Sequence, residues 1–308
     1  MKQTTAQIIS EHSRDLLLNH KGLIFGQCLT AVGWVGGTIP ELTEDEGLIE
    51  LSMADVAGGS IAVGAALSGR RVIYVVRYQG FMWYNAASIV NYAAKSKEMW
   101  GIPCPIMVRG IGMDGSIGPV ASGVHHSLVA RMPGIAVAAP MSGQEWSSVF
   151  HWWMANDNPI YVSESRRSFE IIGKMSDLVI NDADVVLVGI GPARISVTEA
   201  VKQLNSLGVR TSGFGLVWLR PLQLSEALLG SVRNARLTLI VESDYESCSV
   251  AATVANRLWE IADGHVSLLG LDDRTAGFSR ESDNSTPTHE SIIKYILNFL
   301  DGSIVTRQ

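Results

Sequence analysis

Short apolar runs alternate with segments of helical periodicity along most of the chain. Apolar residues at Ile8, Ile9 and 16–18 predict an amphipathic helix over residues 4–19. Two strands should follow, separated by a loop at 30–47 that is rich in Gly, Thr and acidic residues. The runs that predict strands in this half are GLIFGQCL, GLIELS, RVIYVV, PCPIMVR, GIAVAAP and PIYVSES.

Helical segments separate these strands. A Gly- and Ala-dense stretch covers residues 54–69, an Ala-lined segment covers 84–99, and GQEWSSVFHWWMAN precedes the last strand. Gly weakens a helix, so its density here suggests that another backbone or a ligand comes close. Because the strands are continuous apolar runs, the pattern predicts a mostly parallel sheet covered on both faces.

The alternation weakens between about 165 and 182 and then resumes, which indicates a linker and a second domain. ADVVLVGIG, VRTSGFGLV and LTLIVES predict strands, with helices at 195–207, 224–233 and 248–262. We therefore expect an α/β protein of two doubly wound domains, a larger one over 1–175 and a smaller one over 176–308.

Composition narrows the function classes. The 308 residues are 47% hydrophobic and 18% charged, with a formal net charge of −6 and no basic run, which argues against nucleic-acid or membrane-surface binding. Cys28, Cys104 and Cys248 are far apart and form no CxxC pair. With no signal-like apolar segment near the start and no long apolar run, these features predict a cytoplasmic protein.

Two familiar glycine motifs do not apply. GIGMDG (110–115) matches GxGxxG, but Ser, Gly and Pro follow it where a dinucleotide fingerprint must open a helix. GIGPAR (189–194) lacks the third glycine, and neither segment has the Gly-Lys-Ser/Thr of a phosphate-binding loop.

Histidines and aromatic residues supply the remaining candidate chemistry. His125 and His126 lie in a Gly-rich loop, where they are either ordinary loop histidines or substrate-facing groups. Adjacent residues of an extended segment point to opposite sides, so the two should do different jobs. In YQGFMWYN, helical spacing puts Phe81 and Tyr84 on one face, where they are either core or a stacking platform for a flat heterocycle.

Taken together, several segments resemble the β subunit of the 2-oxoacid dehydrogenase first component, a branch of the transketolase-like superfamily. The resemblance covers roughly residues 20–300 and is specific only as an ensemble. In the first domain it rests on LIELSMADVAGGSIAVGAALSG, YQGFMWYNAASIVNYAAK, GVHHS, RMPGIAVAAPMSGQEW and NPIYVSES, and in the second on ADVVLVGIG, FGLVWLRPL and LIVESDYESCSVAATVANRL.

This resemblance implies a pyrimidine-binding domain, which holds the aminopyrimidine of thiamine diphosphate, followed by a transketolase C-terminal-like domain. In the family a separate α chain or domain holds the diphosphate through Mg²⁺ with a GDG…N motif. This sequence has no such motif; MDG at 113–115 is the nearest match and lies in the wrong part of the fold. The resemblance thus implies an α-type partner, a shared site and an assembly of two α and two β chains.

The family's activating glutamate, which bonds a ring nitrogen of the aminopyrimidine, corresponds to Asp55. Asp keeps the carboxyl but is one methylene shorter, roughly 1.5 Å less reach. Three interpretations stay open. Asp55 does the same work after a backbone shift, Glu50 serves instead in another register, or the subunit has weakened or altered activity.

Other site residues also follow from the resemblance. Phe81 falls on the position that stacks on the pyrimidine, and Tyr84 on the position at its edge, where Tyr is more like transketolase than the dehydrogenase subunit. His126 falls on the family's substrate-facing histidine, and the role of His125 is left open. The family's GEE after the first strand is Gly26-Gln27-Cys28 here, which puts the dehydrogenase hydrogen-bond network in doubt.

The implied reaction cleaves a C–C bond beside a carbonyl, by 2-oxoacid decarboxylation or ketol transfer, and passes an acyl or two-carbon unit to an acceptor. One alternative is the C-terminal half of a split transketolase, although transketolases have Glu-Gln-Asn where this chain has Asp-Val-Ala. Another is a non-catalytic assembly or regulatory subunit.

Overall fold

A computed structural model describes residues 2–115, 117–279 and 282–302 of the chain. They form two compact units. The first contains the described parts of Met1–Met175, Val217–Gln223 and Ala276–Asn284, and the second contains the rest. The sequence predicted a single boundary between residues 175 and 176. In the structure, Val217–Gln223 and Ala276–Asn284 come after this boundary in the chain but belong to the first unit.

The first half of the chain alternates strands and helices. Thr4 caps the opening helix by accepting from the Gln7 backbone N–H, while the Gln7 side chain accepts from the Thr4 N–H. The elements are α1 (Thr5–His20), β1 (Leu23–Gly26), α2 (Ala31–Gly37), β2 (Leu48–Glu50), α3 (Asp55–Leu67), β3 (Val72–Val76), α4 (Met82–Ser88), α5 (Ser96–Trp100), β4 (Ile106–Gly112), α6 (His126–Ala130), β5 (Ala136–Ala138), α7 (Gly143–Met154) and β6 (Ile160–Ser165).

The second half continues the alternation after a segment that makes only single bridges, such as Leu178 to Gly213. Its elements are β7 (Val185–Ile190), α8 (Ala193–Ser206), β8 (Thr211–Leu216), β9 (Trp218–Arg220), α9 (Glu226–Asn234), β10 (Leu237–Tyr245), α10 (Val250–Trp259), β11 (His265–Leu271) and α11 (His289–Leu300).

The sheet of the first unit has the order β2-β1-β3-β4-β6-β5-β9. Its strands are parallel except β9, which pairs antiparallel with β5 through Val137–Arg220 and Ala138–Trp218. This pairing is why the segment around β9 belongs to the first unit. The expected parallel α/β sheet is therefore present, with one added edge strand that the sequence pattern did not predict.

Helices α1 and α7 cover one face of this sheet. Leu16 of α1 and Trp146 and Trp153 of α7 are fully buried with Ile73 of β3 and Met107 of β4 in one apolar cluster. Alternate strand residues point to the opposite face, and β3, β4 and β6 are buried along their whole length. Burial on both faces explains why these strands read as continuous apolar runs.

The loop expected at 30–47 contains a left-handed turn at α2. Gly33, Trp34, Val35, Gly36 and Gly37 all have positive φ, between 46° and 77°. For the two non-glycine residues this costs roughly 1–2 kcal/mol each. Val35 is nonetheless buried in the apolar cluster, against which Trp34 also packs, so burial offsets part of the strain.

The single helix expected over 84–99 is interrupted. After α4, residues Ile89–Ala93 form a π-helical turn in which the Ala94 N–H donates to the Ile89 carbonyl at 2.9 Å. One extra residue in a turn shifts the face that follows. The periodicity of small apolar residues did not reveal this shift.

The sheet of the second unit is parallel, with the order β11-β10-β7-β8. Leu187, Leu239 and Val241 of its strands are buried with Val197 of α8 and Ile292 of α11. β11 and α11 lie beyond the elements expected from the sequence. In the described part of the chain, no helix has both the length and the apolar character that a membrane span requires.

Candidate functional site

The Gly-rich helix α3 lies against α4 because glycine leaves room for a buried amide. The Asn85 Oδ1 accepts hydrogen bonds from the Gly59 N–H and the Tyr74 hydroxyl, both at 3.0 Å. A Cβ atom at position 59 would overlap this amide. The Asn85 Nδ2 also donates to the Phe81 carbonyl at 3.1 Å, so one amide joins α3, β3 and the turn that carries Phe81.

The Tyr74 hydroxyl remains protonated at neutral pH. Burial raises the pKa of Tyr74 to about 12, and the negative charge of Asp55 adds to this shift. The hydroxyl therefore acts as a donor to Asn85 and contributes no charge near Asp55.

Asp55 is the first residue of α3 and is half-buried. The Gln27 Nε2 donates to Asp55 Oδ1 at 3.1 Å, and a carboxylate in the first turn of a helix is favoured by the helix dipole. Among the described residues, Oδ2 accepts no hydrogen bond, so this oxygen is available to a ligand. Gln27 thus holds the candidate carboxyl.

Glu50, the alternative in another register, is engaged locally. Its Oε2 accepts from the Thr30 N–H at 3.1 Å and from the Thr30 hydroxyl at 2.7 Å, at the start of α2. This geometry gives Glu50 a capping role and favours Asp55 as the carboxyl that meets a ligand.

The two candidate stacking residues lie beside the entry to α4. Phe81 ends a short 3₁₀ turn, is half-buried, and meets the Tyr78 ring edge-on with a centroid distance of 5.5 Å. Tyr84, almost one turn later, is 58% exposed. Their rings are accessible on a segment tied to α3 by Asn85, which suits the edge and face of a planar ligand.

The two histidines occupy different environments, but they do not lie in an extended segment: His125 precedes helix α6 and His126 is its first residue. The His126 ring is fully buried, with Nδ1 3.0 Å from the Ser163 hydroxyl. The His125 ring is half-buried and lies close to the backbone of Gly123. The substrate-facing role of His126 stays a prediction, since within this chain its ring is enclosed.

His125 also borders a small apolar cavity of about 40 Å³ between α4 and α6. The lining residues are Gln79, Met82, Trp83, Ala86, Val90, His125, Leu128, Val129 and Met132. The first of these, Gln79, was not singled out from the sequence. It lies in the aromatic segment YQGFMWYN, but nothing in that pattern shows that its amide bonds the histidine loop.

No group of three or more His, Cys, Asp or Glu side chains in the described ranges is arranged to hold a metal ion. The three cysteines are unpaired. The described residues of the first unit place a carboxylate on α3, aromatic rings beside the start of α4 and histidines at the start of α6.

Residues 18–170 match the family model for the transketolase pyrimidine-binding domain. The chain belongs to this transketolase-like family. Asp55, Phe81, Tyr84 and His126 all lie within its pyrimidine-binding domain.

Curated relatives include β subunits of pyruvate dehydrogenase E1. The mitochondrial β subunit of Caenorhabditis elegans is 27% identical over 238 residues, which cover 70% of this chain and 66% of that protein. The Chaetomium thermophilum subunit is 25% identical over 279 residues, covering 82% and 72%. The chain thus spans about two thirds of the length of the first relative.

Solved transketolase structures share the fold of this chain. A split-gene transketolase, described as an inactive β4 tetramer, has a TM-score of 0.75 at 14% identity and is covered over 99% of its length by 98% of this chain. Transketolase from Campylobacter jejuni has a TM-score of 0.71, also at 14% identity, over 96% of this chain and 47% of its own length. The chain corresponds to about half of that transketolase.

Proposed function

We propose that the protein is the β-type subunit of a two-chain thiamine-diphosphate enzyme. It would cleave a C–C bond beside a carbonyl, by 2-oxoacid decarboxylation or ketol transfer, and pass the acyl or two-carbon unit to an acceptor. The single observation that carries the proposal is a carboxyl, Asp55, at the start of the Gly-rich helix of a transketolase pyrimidine-binding domain.

The residues present fit an aminopyrimidine ring. Asp55 offers a carboxylate oxygen with no partner among the described residues, and Gln27 fixes the other oxygen. Phe81 and Tyr84 offer aromatic surface beside it. When bound, thiamine diphosphate supplies the electron sink for the carbon chemistry.

The chain's own residues would bind and orient the ring. Asp55 would accept a hydrogen bond from it, and the 3.1 Å bond from Gln27 would hold the shorter side chain in place. Phe81 would pack on the ring face and Tyr84 at its edge. His126 would donate a hydrogen bond or proton to the substrate carbonyl or carboxylate.

Binding of the diphosphate and Mg²⁺ is assigned to an α-type partner, because the GDG…N motif is absent from this sequence. Exposed apolar side chains on α3, α4 and the helical segments after them support a partner. A partner that contacts these helices would cover the exposed side chains. These residues are Val56, Ile61, Trp83, Tyr84, Tyr92, Met99 and Trp100.

The experiment is reconstitution with a candidate α chain. Calorimetry should detect thiamine diphosphate binding by the mixture, and turnover should be measured with 2-oxoacids and with ketoses. Asp55→Ala should lower turnover by at least a hundredfold, the lower range for a lost proton-handling group, and Asp55→Glu should retain it. Unchanged turnover in Asp55→Ala would remove Asp55 from the site.

A split transketolase is the second candidate, and Tyr84 favours it. The fold match covers nearly all of a split-gene transketolase chain, which supports the architecture alone. Turnover of a ketose with an aldehyde acceptor, and none of 2-oxoacids, would select this candidate. If the mixture binds cofactor but turns over neither class, and Asp55→Glu does not restore activity, a non-catalytic subunit is indicated.

Domain roles and location complete the proposal. Residues 1–175 would bind the cofactor, and 176–308 would serve assembly into two α and two β chains. A cytoplasmic location fits the three unpaired cysteines. Fractionation of the source cells tests the location, and light scattering of the reconstituted complex tests the stoichiometry.

A further inference from the structure

Gln79 connects the histidine pair to two central strands of the first sheet, β4 and β6. Its side chain is fully buried. The Oε1 accepts from the His125 backbone N–H at 2.8 Å, and the Nε2 donates to the Ser163 hydroxyl oxygen at 2.8 Å and to the Gly110 carbonyl at 3.2 Å. One amide therefore joins the ends of β4 and β6, the turn before α4, and the start of α6.

The partners of this amide fix which end is oxygen. A backbone N–H can only donate, so the atom facing the His125 N–H must be Oε1. Backbone carbonyls can only accept, so the atom facing Gly110 and the more distant Glu164 carbonyl, at 3.4 Å, must be Nε2. A flipped amide would oppose oxygen to oxygen on one side and donor to donor on the other.

The orientation of Gln79 restricts the Ser163 hydroxyl. Its oxygen accepts a hydrogen bond from Nε2, which has no lone pair to offer in return. The other hydrogen-bond partner of this hydroxyl in the described part of the chain is His126 Nδ1, at 3.0 Å. If Nδ1 carried a proton, the hydroxyl would accept two hydrogen bonds and its own hydrogen would have no acceptor among the described residues. The hydroxyl hydrogen is therefore directed at Nδ1, which carries the lone pair.

We infer that Gln79 and Ser163 are positioning residues that hold neutral His126 in the tautomer with its proton on Nε2. The ring then presents Nε2 as a hydrogen-bond donor. Its catalytic meaning rests on the proposed function: a donor would polarise a substrate carbonyl, whereas a lone pair at Nε2 would act as a base. The tautomer itself follows from contacts within this chain.

The test is a long-range ¹⁵N–¹H correlation spectrum of the full chain labelled with ¹⁵N-histidine, recorded above the pH at which the histidines protonate. The chain has seven histidines, and His126→Gln assigns the resonances of one of them by their disappearance. The Nδ1 of His126 should resonate as an unprotonated nitrogen and its Nε2 as a protonated one. A protonated Nδ1 with an unprotonated Nε2 overturns the inference.

Variants separate the two positioning residues from general packing. Ser163→Ala removes the donor and should shift the His126 Nδ1 resonance and mix the tautomers, while Ser163→Thr, which keeps a hydroxyl, should restore the original pattern. Gln79→Met keeps the buried volume but loses the bond that orients Ser163, so partial mixing is expected. Unchanged His126 resonances in folded Ser163→Ala would exclude Ser163 from the role.

Ser147→Ala is the matched control. The Ser147 hydroxyl lies 2.7 Å from His12 Nε2 on the α1–α7 side of the same unit, so this variant should move the His12 resonances and leave those of His126 in place. The remaining histidine signals report folding in every sample. If Ser163→Ala does not fold, Gln79→Met and the wild-type spectrum still decide the inference.

The outcome is independent of the proposed function, because neither cofactor nor partner is needed for the spectrum. The predicted tautomer together with an inactive reconstituted complex would refute the function and keep the inference. A reversed tautomer in a chain that supports turnover would refute the inference and keep the function.

Discussion

At the scale of single residues, the proposed correspondence with the family makes Asp55 and Gln27 departures that contact each other. Under this correspondence, Asp55 is shorter than the family glutamate, and Gln27 stands where the family has an acid. The two side chains bond each other at 3.1 Å. A neutral amide beside Asp55 donates a hydrogen bond, whereas an acid at position 27 would repel the carboxylate. The paired substitutions therefore support one another.

Gln27→Ala should weaken thiamine diphosphate binding by the reconstituted complex. A hydrogen bond to a charged group is worth about 1.5–3 kcal/mol when buried, and Asp55 is half-buried, so a loss of roughly tenfold in affinity is expected. Calorimetry measures the change. Gln203→Ala, which removes a helix-surface amide bonded to Glu199 in the second unit, is the control and should bind normally.

Gln27→Glu tests the same contact by replacing the donor with a second negative charge. Two carboxylates at this distance should weaken binding more than Gln27→Ala does, because like charges add to the lost donor. Equal affinities in the wild type and both variants would show that Gln27 does not position Asp55.

At the scale of elements, α3 packs closely against α4 because a glycine of α3 has no side chain at the contact. Gly59 faces the Asn85 amide, whereas Gly64 of the same helix has nothing within 4 Å of the position where a Cβ would stand. The Gly density noted in the sequence therefore has a structural cause at one position and not at the other. Sequence alone could not separate them, because Asn85 is 26 residues away from Gly59.

Gly59→Ala and Gly64→Ala should have opposite effects on the stability of the isolated chain. The methyl at position 59 would force Asn85 away and break its bonds, for a cost of about 1–3 kcal/mol. The methyl at 64 meets open space and should stabilise the helix by up to about 1 kcal/mol. Urea unfolding measures both, and destabilisation of similar size at the two positions would contradict the packing described for α3.

The sequence predicted the helices and strands better than it predicted the contacts between distant residues. Continuous apolar runs identified the buried strands because both faces of a parallel sheet are covered. The split of the 84–99 helix by a π-helical turn was not foreseen, since small apolar residues suit either register. Nor was the burial of His126, whose ring bonds Ser163, 37 residues further along the chain.

At the scale of the whole molecule, the family relationship and the missing motif both favour a cofactor site shared with a partner chain. A pyrimidine-binding domain covers 18–170, and the sequence offers no GDG…N segment for the diphosphate. The motifs along the chain predict that a partner holds the diphosphate, and this division stays a prediction. The sequence did not predict the left-handed turn at 33–37 or the β5–β9 pairing, because strained backbone and an edge strand of three residues leave no periodic signal.

The isolated full chain should therefore bind thiamine diphosphate and Mg²⁺ weakly or not at all. The diphosphate carries most of the ligand's charge, and a site that holds only the ring must bind it through one carboxylate and aromatic surface. Isothermal titration should show no saturation at cofactor concentrations that saturate the mixture with the α chain. The control ligand is thiamine itself, which lacks the diphosphate. Thiamine should bind the lone chain and the mixture with similar affinity, whereas thiamine diphosphate should bind the mixture much more tightly than the lone chain. Tight, Mg²⁺-dependent binding by the lone chain would place the metal clamp within this polypeptide and refute the shared site.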